Sequence, residues 1–251
     1  MIAILAGCAV VLHKSFRFVD KGPLLGVDDA LPNVAITLAE RGRYGDLGSP
    51  TQGPYDVDRT HAFFNYGPLY FYVAAALTWL IGPSFIAFRM LHPLGLVAIV
   101  GASFLVWRRY SVIGSAVLAA GILHIYLHAH WPMARPDIMV SICAVSMFVA
   151  ASRAVERGGW LAWFATGFFA GAAVSCHQIA ASVALAAGVI WVWSVLVERR
   201  KQIPRSWRPE AASLLALISG GALAALIYLH AIDFRLRDCQ RSLPWWTIAP
   251  L

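Results

Sequence analysis

The sequence predicts an all-α integral membrane protein, with about seven transmembrane helices and interfacial helices in its first outer loop. Three observations predict this class. Apolar residues fill 59% of the 251 positions and charged residues only 13%, against the roughly 25% charge of a water-facing domain. Runs such as residues 112–129, 138–151 and 179–197 hold almost no charge and approach or reach the roughly 20 residues that a spanning helix needs. The basic residues gather in short connections between these runs, the pattern of cytoplasmic membrane loops.

In chain order, residues 1–18 are expected to form the first span, 19–84 an outer loop, and 85–251 six further spans with short loops. Those six are expected at 85–107, 112–130, 138–155, 160–178, 179–197 and 211–231. Leu5-Ala6-Gly7-Cys8 matches a lipoprotein cleavage box by chance, since no basic segment precedes it and the hydrophobic stretch before it is too short. In the loop, Leu31, Val34, Ala35 and Leu38 follow helical spacing, Pro32 suits a first turn and Gly42 a terminus. An amphipathic helix lying on the membrane surface is expected there. A second helix is expected over 68–82, opened by Pro68 and ended by Gly82-Pro83. Its length of about 22 Å falls short of a hydrocarbon core of about 30 Å, so it reads as interfacial or half-inserted. Counting it as a span would also turn Arg108 and Arg109 outward.

With seven alternating spans, Arg108-Arg109, Arg153 with Arg157, and Arg199-Arg200-Lys201 through Arg205 and Arg208 share one side, the cytoplasm. The outer face then collects the long loop, the segment from His124 to Asp137, the Cys176-His177-Gln178 turn, and Asp233 with Arg235. Spans 160–178 and 179–197 become a tight hairpin with His177-Gln178 at its outer tip. Polar groups at membrane level are expensive and by default mark a functional site. The net charge of +7 belongs to the membrane-loop pattern, and no nucleic-acid partner is expected. Cys8, Cys143, Cys176 and Cys239 lie far apart with no C-x-x-C spacing and read as small core residues.

The adjacent carboxylates Asp28 and Asp29 have two readings. One of them caps the helix that follows, because a carboxylate there accepts from free backbone N–H groups. Alternatively one is a general base at the water interface while its neighbour caps or orients, which requires hydrogen-bond reach to the proton and a suitable pKa.

A resemblance rests on an ordered set of motifs. After the first span come Asp28-Asp29, a helix ending in Glu-Arg-Gly-Arg-Tyr-Gly, Asn65-Tyr66-Gly67-Pro68-Leu69-Tyr70, then Gly82-Pro83-Ser84 and Arg89, and later Arg135-Pro136-Asp137 at the outer end of a span. This order resembles the GT-C glycosyltransferases, polytopic enzymes similar to protein O-mannosyltransferases and aminoarabinose transferases, from the long loop to about residue 200. The resemblance implies inverting transfer of a sugar from a polyprenyl-phosphate carrier to a lipid, glycan or protein acceptor on the extracytoplasmic side of the cytoplasmic membrane. It implies Asp28 as the base that deprotonates the acceptor hydroxyl, with Asp29 as the alternative. Arg135 is the first candidate to bind the leaving phosphate, since a guanidinium donates two parallel N–H bonds. Asp137, Arg43, His61 and His177 follow as substrate-binding candidates, and hydrophobic grooves between spans would hold the lipid tail. Family members usually continue for several more spans, so the resemblance implies a truncated member.

Other residues compete for attention. Asp56-Val57-Asp58 has the D-x-D form of a divalent-cation site, although Pro54-Tyr55 and Arg59 around it suit a solvated turn; no cofactor is otherwise expected. His124, His128 and His130 carry metal-ligand or haem-ligand spacing, but no glutamate follows His124, and with Trp131 they suit interfacial packing or substrate hydrogen bonding better. Arg135-Pro136-Asp137 can equally be a snorkelling arginine, a helix-starting proline and an acid at a helix N-terminus. Trp245-Trp246 reads as an interfacial anchor. Two other classes fit the hydropathy. A transporter or lipid flippase would place charges and broken helices at the midplane of repeated halves, and no repeat is evident. A non-catalytic membrane subunit would tolerate replacement of Asp28.

Overall fold

The computed structural model describes residues 9–10, 13, 31–42, 67–82, 85–108, 111–114, 137–177, 180–201 and 208–231. Among them every regular element is helical: α1 (Leu31–Arg41), α2 (Pro68–Ile81), α3 (Phe85–Trp107), α4 (Asp137–Arg157), α5 (Trp160–Val174), α6 (Ala181–Lys201) and α7 (Arg208–Ala231). Two of these contain stretches long and apolar enough to cross a membrane, Asp137–Arg157 and Glu210–His230, and shorter apolar stretches lie in α2, α3, α5 and α6. The expected first span lies mostly outside the described residues, as does most of the expected 112–130 span.

Helix ends follow the punctuation of the sequence. Pro68 opens α2, where the absence of an N–H costs nothing. Gly82 closes it at φ 103, donating its N–H to the Thr78 carbonyl at 2.8 Å. Gly158 and Gly159, at φ 67 and 104, turn the chain between α4 and α5 in a conformation that side chains with a Cβ resist. Asp137 stands in the first turn of α4 and Arg157 in its last, each complementing the helix dipole.

The four helices α4 to α7 form an alternating bundle. Ala154 clusters with Trp163, Met147 and Ala151 with Ala170, and Cys143 meets Cys176, so α4 and α5 run antiparallel. Ala187 joins Ala170, and Ile190 with Trp191 joins Trp163, so α6 runs back along α5. Helix α7 then lies parallel to α5. Gly167 abuts the Leu217 carbonyl, Gly171 abuts Gly221 and Ala224, and Gly220 abuts the Phe164 carbonyl and the Phe168 nitrogen. A Cβ at Gly171 would lie 2.8 Å from that of Ala224, so this interface exists because small residues let backbones approach. Trp191 Nε1 donates to Ser213 Oγ at 3.0 Å and ties α6 to α7.

This alternation gathers the basic residues at one end. Arg153 and Arg157 finish α4, Arg199, Arg200 and Lys201 finish α6, and Arg208 starts α7. The opposite end carries Asp137, the α5–α6 turn with His177, and the last turn of α7 with His230. The outward surface is apolar along the helices: Leu185, Val189, Trp193 and Leu196 of α6 and Leu215, Leu226 and Ile227 of α7 are all exposed. Only 17% of the apolar stretch of α7 is buried.

Helix α1 differs from its expected setting. Val34 and Ala35 are fully buried with Leu38 and Thr37, so the apolar face meets protein rather than a membrane surface. The cause is α2, which presents Tyr70, Phe71, Ala74 and Ala75 to the same cluster. Tyr70 and Phe71 lie edge to face, with ring centroids 5.4 Å apart.

Candidate functional site

The polar end of the bundle is recessed because its helices differ in length. Helix α4 has 21 residues and extends about 31 Å, whereas α5 has 15 and extends about 22 Å. The α5–α6 turn therefore stops short of the start of α4. Its Cys176 meets Cys143, about 9 Å along the axis from Asp137. The bundle therefore ends in a step: its floor is the turn Ser175-Cys176-His177, with Ser175 and Cys176 buried, its riser is the first turns of α4, and α2 packs into it.

Ser175, Cys176 and His177 fold back on α5. The N–H of Ser175 donates to the Gly171 carbonyl at 2.9 Å, and those of Cys176 and His177 donate to the Ala173 carbonyl at 3.0 and 3.2 Å. Ser175 Oγ donates to the Gly171 carbonyl at 2.9 Å, so the hydroxyl satisfies a backbone acceptor at the helix end. Cys176 is fully buried, and His177 is partly exposed.

The floor is also where the start of α2 is anchored. The N–H of Gly67 donates to the Cys176 carbonyl at 2.9 Å. Any Cβ at position 67 would collide with the Ser175 carbonyl, so the contact needs glycine for close approach. From this anchor α2 begins, and its Tyr70 and Phe71 bury themselves with α1 residues in a cluster that includes Ile138, Met139, Cys143 and Cys176. On a third side, Tyr228 of α7 packs against the same cluster.

Of the residues proposed from sequence, Asp137 and His177 are brought to this end: Asp137 exposed at the head of α4, His177 on the floor. Asp28, Asp29, Arg43, His61 and Arg135 lie outside the described residues, as do Asp56, Asp58, His124, His128 and His130. Among the described residues no group of three or more metal-ligating side chains occurs. Two features escaped sequence reasoning. His92 is buried within α3, one turn before Gly95, whose close contact with Ile138 and Ile142 brings that stretch against the head of α4. A histidine followed by a mid-helix proline, His92-Pro93, was the available signal, since ionisable groups inside apolar helices call for a reason. The second is the anchoring role of Gly67, concealed because its partner lies far along the chain.

No protein-family model, no curated protein and no solved structure matches the chain.

Proposed function

We propose that this protein is a multi-span membrane glycosyltransferase of GT-C type, transferring a sugar from a polyprenyl-phosphate donor to an acceptor hydroxyl at the extracytoplasmic side. The observation that carries the reading is the Gly67 N–H bond to Cys176 beside the head of α4. Gly67 to Tyr70, the head of α4 from Asp137 and the His177 turn, distant in sequence, come together at one end of the bundle, which supports a shared site for the motifs they belong to. A soluble helical bundle gives no reason for exposed leucine, valine and tryptophan along α6 and α7, whereas lipid does. The segregation of arginines to the opposite end supports placing the His177 end on the extracytoplasmic side by the positive-inside rule. Helix α2 supports a half-inserted element: it starts on the recessed floor and ends with Trp79, Leu80 and Ile81 exposed.

In this reading the acceptor hydroxyl gives its proton to Asp28, with Asp29 as the alternative base, and its oxygen attacks the anomeric carbon. The bond from that carbon to the phosphate oxygen breaks, and the lipid phosphate leaves from the opposite face, inverting the centre. Arg135 stabilises the charge that develops on the phosphate, and Arg43, His61, Asp137 and His177 supply further substrate contacts. The lipid tail lies along the apolar helix surfaces.

The experiment incubates membranes containing the protein with labelled polyprenyl-phosphate sugar and candidate acceptors. Transfer by the parent protein, lost in Asp28→Asn at equal expression, is the expected result. Transfer that survives both Asp28→Asn and Asp29→Asn overturns the mechanism and leaves transport or a non-catalytic role.

A further inference from the structure

Cys143 and Cys176 stand outside the chemistry proposed above. They lie on different elements, one in α4 and one in the α5–α6 turn, yet the fold brings them side by side. Both are reduced in this structure and both are buried, in the same apolar cluster. The register of the bundle makes the meeting a property of the fold: Ala154 opposite Trp163 and Met147 opposite Ala170 lead to Cys143 opposite Cys176. The pair also sits toward the end of the bundle that carries His177, away from the arginines. On the proposed topology that end faces the extracytoplasmic compartment, where thiols are oxidised.

We propose that Cys143 and Cys176 form a disulfide in the mature protein, clamping the α5–α6 turn to α4. The step is a thiol–disulfide exchange with a disulfide-bearing oxidant of the extracytoplasmic compartment. Two S–H bonds break and one S–S bond forms. The two protons and two electrons pass to the oxidant, whose disulfide becomes two thiols. Because both sulfurs are buried in the finished bundle, exchange occurs before the α5–α6 hairpin packs against α4, and the product is then shielded from reductants. The clamp acts on the segment that holds Gly67, since the Cys176 carbonyl receives that N–H. Oxidation would thus fix the depth at which the start of α2 is anchored.

The test uses the full chain, purified from membranes without reductant and unfolded in detergent with excess maleimide. The expected result is a peptide pair joined through Cys143 and Cys176, which takes up maleimide only after reduction. In Cys143→Ser, Cys176 should become fully labelled without reductant, and in Cys176→Ser, Cys143 should. Labelling of both cysteines in the unreduced parent protein overturns the proposal, as does protection of Cys176 in Cys143→Ser, which would assign its partner elsewhere. The proposal rests on the topology, so His61→Cys and Arg109→Cys, each with the other cysteines replaced by serine, are probed with an impermeant thiol reagent. If only position 61 reacts while the native pair is reduced, the disulfide fails and the topology stands. If only position 109 reacts, the topology has failed as well.

Discussion

Gly67 and Cys176 are joined by a backbone hydrogen bond of 2.9 Å, although one opens α2 and the other closes the turn after α5. The bond fixes the start of α2 against the turn, which the shortness of α5 holds below the head of α4.

Gly67→Ala should break this relationship, since the added methyl meets the Ser175 carbonyl rather than a side chain that can move. The expected cost is about 1–3 kcal/mol of stability, typical of overpacking, with transfer activity reduced further by displacement of the loop. Gly95→Ala is the comparison: its methyl meets the side chains of Ile138 and Ile142, which can give way, so the loss should be smaller. Thermal aggregation of the two variants in detergent checks the ranking, and equal losses would contradict it.

The parallel contact of α5 with α7 predicts a second contrast. Gly167→Ala places a methyl against the Leu217 carbonyl and should lower stability by about 1–3 kcal/mol. Gly188→Ala has no atom within 4 Å and should be neutral or stabilising by up to about 1 kcal/mol, the helix-propensity gain. Midpoints of heat-induced aggregation decide between them.

Trp191→Phe keeps an aromatic ring against the cluster of Trp163 and Ala216 but removes part of the indole's volume and the donor to Ser213 Oγ. A loss of roughly 0.5–1.5 kcal/mol is expected, the worth of a single hydrogen bond, and removing Ser213 as well should add little. A double-mutant cycle measures the coupling.

Helix ends were legible in the sequence where proline and glycine mark them: Pro68 and Gly82 bound α2, and the α5–α6 hairpin with His177 at its tip followed from two adjacent apolar runs. Depth was not legible, because hydropathy counts residues and does not say that α5 stops at Val174 while α4 begins a further 9 Å or so away. Nor did amphipathicity distinguish lipid from protein as the partner of α1, since both are apolar. The pairing of Cys143 with Cys176 depends on the register of two antiparallel helices, which no local pattern encodes. The acids at 28 and 29 and the arginine at 135 lie outside the described residues, and their roles rest on the motif order alone.

The central claim of the proposed function is that the acidic pair Asp28-Asp29 and Arg135 face the same aqueous boundary of the membrane. It is tested most directly by Asp28→Cys, Arg135→Cys and Arg109→Cys, each alone in a background whose native cysteines are serine, labelled in intact cells with an impermeant thiol reagent. Labelling at 28 and 135, with 109 reacting only after permeabilisation, is the predicted result. Labelling of 28 and 135 from opposite sides of the membrane would contradict it.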